Sequence, residues 1–262
     1  MKKFEFTKMV ASGNDFVVIE GKPAAGGLRK LAKNLCDRKF GIGADGLLIL
    51  EKTKKADARM RIFNADGSEA EMCGNGARCA ALFLEKKQAA LFTGAGLVQT
   101  QLLENNVRIK LTEPKNIKLD IPLRAAGRRI KVNFINTGVP HVVIFVYDVD
   151  KIDISHIGPL VRNHALFKPA GTNVNFVEVK GNNSIKIRTF ERGVEDETLA
   201  CGTGSTASAL VFALKKNLDK FVKVHTHSGE VLKVYFRKEG LNFRDVWLEG
   251  SAKKVYKGEY YV

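Results

Sequence analysis

Two cysteines stand in nearly the same setting 128 positions apart (201 − 73): Cys73 in Cys73-Gly74-Asn75-Gly76 and Cys201 in Cys201-Gly202-Thr203-Gly204. Apolar runs follow each, Ala80–Leu84 and Ala209–Leu214, so both cysteines are predicted at helix N-termini. There the unpaired N–H groups and the helix dipole favour negative charge. Such a position can draw a thiol pKa from about 8.5 down to roughly 3.5–7.5. The glycines leave bare backbone N–H groups open to an anionic ligand. Two such units facing each other would set two activated thiols on either side of one carboxylate. A plainer reading is a small apolar cysteine packed at a helix start. It serves for one such residue and explains less when two occupy matching places.

The elements that must position these thiols also repeat. Arg61–Lys87 is echoed by Arg188–Lys216, and at the shift of 128 Gly74, Gly76, Ala81 and Leu82 fall on Gly202, Gly204, Ala209 and Leu210. Gly13–Ile19 runs against Gly138–Ile144 at a shift of 125. Two blocks in the same order at nearly the same spacing imply a duplicated unit. The predicted helices, Asn75–Lys87 and Thr203–Lys216, are apolar nearly all round, and a helix apolar on every face is buried on every face. The expected fold is therefore α/β of the α+β type. It has two pseudo-symmetric halves, each a largely antiparallel sheet wrapped around a central buried helix. Glu113-Pro114 marks the boundary, giving residues 1–115 and 116–249, with the strand-like 250–262 returning to the first half.

Along the chain, Phe4–Met9 and Phe16–Glu20 read as strands, Ala25-Gly26-Gly27 as a break and Leu28–Arg38 as a helix. Gly41–Gly46 matches G-x-G-x-x-G, but a helix precedes it and a strand follows, the reverse of a dinucleotide site. Ala58–Phe63 alternates, and Leu97–Leu103 with Val107–Leu111 form a hairpin signal. The second half offers strands at Ile117–Ile121, Ile130–Ile135, Val142–Tyr147, Val174–Val179 and Ser184–Phe190, and a helical turn over Ser155–Phe167. Val222–Thr226, Val231–Arg237, Phe243–Glu249 and Val255–Val262 close it. His225-x-His227 would share a strand face, but no third ligand accompanies it, so no metal site is expected.

Composition bounds the function. The 262 residues are 45% hydrophobic and 27% charged, the profile of a soluble globular chain. No apolar run approaches the eighteen or so residues of a membrane span. Met1-Lys2-Lys3 leads into alternating Phe4-Glu5-Phe6 rather than a signal-peptide core, which predicts a cytoplasmic location. Four cysteines without C-x-x-C spacing suit reduced thiols, with Cys36 and Cys79 as core. The net charge of +15 raises a polyanion-binding alternative. The basic residues are scattered in pairs without interleaved aromatics, so neither nucleic acid nor membrane is expected as a partner.

Taken together, GNDF (Gly13–Phe16), FGIGADG (Phe40–Gly46), FNADGSEAEMCGNGARC (Phe63–Cys79), GVPH (Gly138–His141), ERG (Glu191–Gly193) and ACGTGS (Ala200–Ser205) resemble the diaminopimelate epimerase family over nearly the whole chain. The resemblance implies a cofactor-independent, pyridoxal-phosphate-free isomerase. It would convert LL- to meso-diaminopimelate in lysine biosynthesis, as a homodimer, using Cys73 and Cys201 as its two bases. His141 and Glu191 would set the thiols' protonation. Asn14, Asn64, Gly74, Asn75, Asn173, Glu191, Arg192, Gly202 and Thr203 would bind substrate. Two positions depart from the family pattern: Val139 stands where an Asn is known, and Gly46 where a Gln is known. A proline or hydroxyproline racemase is the alternative within two-cysteine isomerases. The set Asn64, Asn173 and Arg192 suits a second polar end of the substrate and favours diaminopimelate.

Overall fold

Alternating side chains set the strands and all-apolar segments set what lies between them. The computed structural model describes residues 3–21 and 27–261, so the Ala25-Gly26 break and Val262 lie outside the described residues. The chain divides into two compact units, Met1–Ile109 with Gly250–Val262, and Lys110–Glu249.

In the first unit β1 (Lys3–Ala11) and β2 (Asn14–Glu20) form an antiparallel hairpin. Its turn places Ser12 and Gly13 at positive φ, which Gly13 meets without a Cβ penalty. Helix α1 (Leu28–Cys36) leads to β3 (Gly46–Glu51), parallel to β2, and β4 (Ala58–Asn64) returns antiparallel. The two-residue β5 (Glu69–Ala70) precedes α2 (Gly74–Leu84). Then β6 (Gln88–Thr93) runs parallel to β4 and continues antiparallel through β7 (Gly96–Leu102) to β8 (Val107–Lys110). Every residue of β3 is buried, as a strand covered on both faces must be. Leu47, Ile49 and Phe63 pack with α1, while Leu48 and Ile62 lie against Gly76 of α2.

The second unit repeats this order. Strand β9 (Lys115–Ala125) pairs β10 (Arg128–Asn136), which pairs β11 (Pro140–Phe145) antiparallel. Helix α3 (Ile154–Arg162) leads to β12 (Asn173–Gly181), parallel to β11, and β13 (Ser184–Glu191) returns antiparallel. The short β14 (Asp196–Thr198) precedes α4 (Gly202–Lys216). Then β15 (Phe221–His225) runs parallel to β13, followed by β16 (Val231–Glu239) and β17 (Asn242–Gly250). The last strand, β18 (Lys253–Tyr261), pairs with β1. Strand for strand, β1–β4 with α1 and α2 match β10–β13 with α3 and α4. Residues 77–81 of α2 and 204–213 of α4 are buried throughout, giving each unit its central helix.

Some boundaries differ from expectation. The first helix stops at Cys36, where Asp37 turns the chain and accepts from the Lys39 and Phe40 N–H groups. The helical segment over 155–167 splits into α3 and one 3₁₀ turn, Ala165–Phe167. The Gln88–Thr93 strand was unmarked by alternation. The strand before His227 ends at His225, so the two imidazoles share no strand face: His225 pairs with Ser184 and His227 with Glu197.

Candidate active site

Both cysteines are N-caps. Cys73 precedes α2 with extended backbone (φ −142°, ψ 124°), and its Sγ accepts from the Gly76 N–H at 3.5 Å. Cys201 precedes α4 with φ −113° and ψ 111°. Neither helix has an acidic residue in its first turn, so nothing there neutralises the N-terminal N–H groups. The glycines of Gly-x-Gly sit against the sheets. A Cβ on Gly76 would meet Leu48 Cδ2 at 3.1 Å, and one on Gly204 would meet Asn175 Oδ1 at 2.3 Å.

In the first unit the β1–β2 turn brings Asn14 to Cys73, whose Sγ lies 3.9 Å from Asn14 Oδ1. The other end of that amide donates to Asp45 at 2.8 Å, and Asp45 is in turn gripped by Arg38 at 2.7 Å. Arg38 also holds Asp15, which is paired with Lys8 at 2.6 Å. Burial would raise the Asp15 carboxyl, but hydrogen bonds from Arg38 and Lys8 hold it far below the usual range. Asn75 accepts at 2.7 Å from Arg78, a fully buried arginine that also binds Ser12 Oγ at 2.6 Å and the Ser251 carbonyl at 3.1 Å. Gly74 opens α2 against Ile109. Asn64 is turned toward its own loop, donating to Ser68 at 3.0 Å.

The second unit gathers a larger polar set. Cys201 is 7% exposed and lies 3.5 Å from Thr203 Oγ1. It also hydrogen-bonds Glu191, which accepts from the Thr198 hydroxyl at 2.9 Å. Burial raises the Glu191 carboxyl. A lowered thiol pKa does not hold at Cys201. Burial and then the Glu191 charge push it up to about 12, against the smaller opposing hydrogen bonds from Thr203 and the Gly204 N–H. A helix N-terminus loses to desolvation when the sulfur is this deeply enclosed.

Asn173 opens β12 beside His141 on β11. Its Oδ1 accepts the Arg192 backbone N–H at 2.9 Å and its Nδ2 donates to the Pro140 carbonyl at 3.0 Å. One amide hydrogen and one lone pair remain for a ligand. The Arg192 guanidinium donates to Ala170 O at 3.0 Å. His141 is fully buried, and burial, then the Arg192 charge, lowers its pKa to about 3. Gly202 packs on Leu248, and the Thr203 carbonyl accepts from Thr137 at 3.1 Å.

Arg78, Asp45, Asn175 and Thr189 were not anticipated. Arg78 carried a readable signal, as the only charge within the otherwise apolar Gly76–Leu84 run. Among the described residues no cluster of three or more His, Cys, Asp or Glu could hold a metal, and no helix is long and apolar enough to cross a membrane.

The family model described as "Diaminopimelate epimerase" matches residues 6–117 and 133–255. A protein named diaminopimelate epimerase from Aquifex aeolicus (strain VF5) is 41% identical over 273 residues, covering 97% of this chain and 96% of its own. Another of that name, from Caldanaerobacter subterraneus subsp. tengcongensis, is 39% identical over 277 residues, covering 97% of this chain and 98% of its own. Among solved structures, a phenazine biosynthesis protein of the PhzF family from Bacillus anthracis superposes with TM-score 0.78 at 18% identity, over 100% of both chains. That likeness speaks to fold alone.

Proposed function

The chain belongs to the diaminopimelate epimerase family, and from that premise we propose that it converts LL- to meso-diaminopimelate in lysine biosynthesis through two cysteine bases. The observation that carries the mechanism is that each repeat caps its central helix with a cysteine, Cys73 on α2 and Cys201 on α4.

One sulfur, as thiolate, takes the Cα proton while the other, as thiol, returns one to the opposite face. In the resting protein Cys201 is the thiol, hydrogen-bonded to Glu191. Its hydrogen bond to Cys201 supports Glu191 as the group that takes that proton when the direction reverses. The Cα proton is weakly acidic, so the developing negative charge needs fixed donors. The N–H groups of Gly74, Asn75, Gly202 and Thr203 lie in helix first turns, where no intrahelical acceptor serves them. Asn14, steadied by Asp45, lies beside Cys73. Arg192, with Asn64 and Asn173, takes the distal carboxylate, for which a planar guanidinium is suited. His141 tunes the thiols as a neutral imidazole. A cytoplasmic setting is supported by four free cysteines. A homodimer rests on resemblance and is read out by sedimentation.

The test is LL-diaminopimelate in D2O, with dialysed and chelator-treated enzyme. Deuterium should enter Cα as the meso isomer appears, and proline should not exchange. Cys73→Ala and Cys201→Ala should each lose at least about a hundredfold, whereas Cys36→Ala and Cys79→Ala should stay active. Near-normal epimerisation by Cys201→Ala would sink the two-base scheme.

A further inference from the structure

Beneath the first turn of α4 the second unit buries a polar triad, His141, Asn175 and Thr189, on adjacent strands β11, β12 and β13. The matching positions of the first unit are Phe16, Leu48 and Ile62, on β2, β3 and β4. The same topology is thus built elsewhere in this chain without polar groups. The triad is therefore not a requirement of the fold.

Its hydrogen bonds have one consistent solution. Asn175 Nδ2 lies 2.9 Å from the Val142 carbonyl oxygen and 3.2 Å from His141 Nδ1, while Oδ1 lies 3.0 Å from Thr189 Oγ1. Reversing the amide would set its oxygen against the Val142 carbonyl, two acceptors with no proton between them. The nitrogen must therefore face Val142. Its second hydrogen is then directed at His141 Nδ1, which must offer a lone pair. The single proton of the neutral imidazole is left on Nε2, a buried atom with no hydrogen-bond partner among the described residues. Gly204 lies directly over the amide, where even a Cβ would come within 2.3 Å of Asn175 Oδ1.

We propose that Asn175 is a positioning residue that locks His141 as the Nε2–H tautomer, so that the imidazole faces the reaction as a hydrogen-bond donor and never as a proton acceptor. The role in the reaction rests on His141 belonging to the active site, as proposed above. Nε2 already carries its proton, and Nδ1 cannot gain one without breaking the Asn175 bond. The imidazole then stabilises an anion, a thiolate or a carboxylate, as a fixed dipole. Its low pKa, set by burial and Arg192, accords with this.

The tautomer is read on full-length resting enzyme by long-range ¹H–¹⁵N correlation after ¹⁵N-histidine labelling. The other four histidines, His156, His164, His225 and His227, are replaced one at a time for assignment. The expected His141 pattern is one protonated Nε2 and one bare Nδ1, unchanged between about pH 5 and 8. An Nδ1–H pattern, or an imidazolium near neutrality, would overturn the proposal. Asn175→Asp keeps the shape but places an acceptor at Nδ1. It should move the proton there or create an imidazolium, and lower kcat roughly 10- to 100-fold with KM little changed. If that variant fails to fold, the wild-type spectrum still decides the tautomer, and Asn175→Ser tests the dependence on the amide by releasing His141 to titrate. Wild-type tautomer and kcat in a folded Asn175→Asp enzyme would remove Asn175 from its role. A correct tautomer in an enzyme that exchanges no Cα proton of diaminopimelate would instead refute the function and leave the hydrogen-bond assignment standing.

Discussion

Gly76→Ala and Gly204→Ala make a matched pair, because the two glycines occupy the third position of equivalent helices. Alanine in place of glycine in a helix gains about 0.5–1 kcal/mol at either site, so that gain cancels in the comparison. What differs is the neighbour. At Gly76 the new methyl meets Leu48 Cδ2 at 3.1 Å and Ile62 Cδ1 at 3.4 Å, ends of side chains that yield by a few tenths of an ångström. At Gly204 it meets Asn175 Oδ1 at 2.3 Å, more than an ångström inside the ~3.5 Å of ordinary contact. Asn175 must leave, surrendering bonds to Thr189, Val142 and His141. At about 0.5–1.5 kcal/mol each, the gross loss is roughly 2–4 kcal/mol. After the helical gain, Gly204→Ala should cost about 1–3 kcal/mol, while Gly76→Ala should fall within about 1 kcal/mol of neutral. Urea midpoints and melting curves of both variants measure this, and at about 2–4 °C per kcal/mol the larger loss is several degrees. Equal losses at the two glycines, or a neutral Gly204→Ala, would refute the assignment of Asn175 to a rigid seat under α4.

Three further outcomes follow from the thiol environments. With its pKa pushed up to about 12, Cys201 should react with iodoacetamide near neutrality about a thousandfold more slowly than a free thiol of pKa about 8.5, and Glu191→Gln should speed it. The same raised pKa stabilises the fold below the unfolded value of about 8.5 and loses that contribution as pH rises toward 12, which alkaline unfolding curves would register. Asp45→Ala removes the acceptor that steadies Asn14 beside Cys73. It should lower kcat/KM roughly tenfold, the scale of one hydrogen bond to a charged group, with circular dichroism unchanged; wild-type kinetics would show that Asn14 needs no such support.

The duplication, the central helices and the cysteine caps were legible because each leaves a local mark: a repeated motif, an apolar run, a Gly-x-Gly. Helix α4 was expected at 203–216 and begins one residue earlier. The strand Gln88–Thr93 was not legible, since its Ala89-Ala90-Leu91 centre neither alternates nor carries β-branched residues. Arg78, Asp45 and Asn175 each make a bond to a partner 31 to 173 positions away in sequence, and no local pattern encodes such pairings. The direction of the Cys201 shift was missed for a related reason. The helix terminus is visible in the sequence, but how deeply the sulfur is enclosed depends on tertiary packing.

The return of Lys253–Tyr261 to pair with β1 bears on how the chain is made. A ribosome delivers the first unit's opening strands early and its closing strand last, after all of Lys110–Glu249 has emerged. Domains that fold during synthesis ordinarily do so from the N-terminus onward. Here the order inverts: the uninterrupted second unit is complete while the first still lacks an edge. Until Ser251 leaves the exit tunnel, Arg78 is without one of the acceptors that let its charge be buried at the base of the Cys73 helix. The first unit's sheet is therefore closed by the last of its strands to be made, and Ser251 joins the contacts of the buried Arg78 on the Cys73 helix only at that stage.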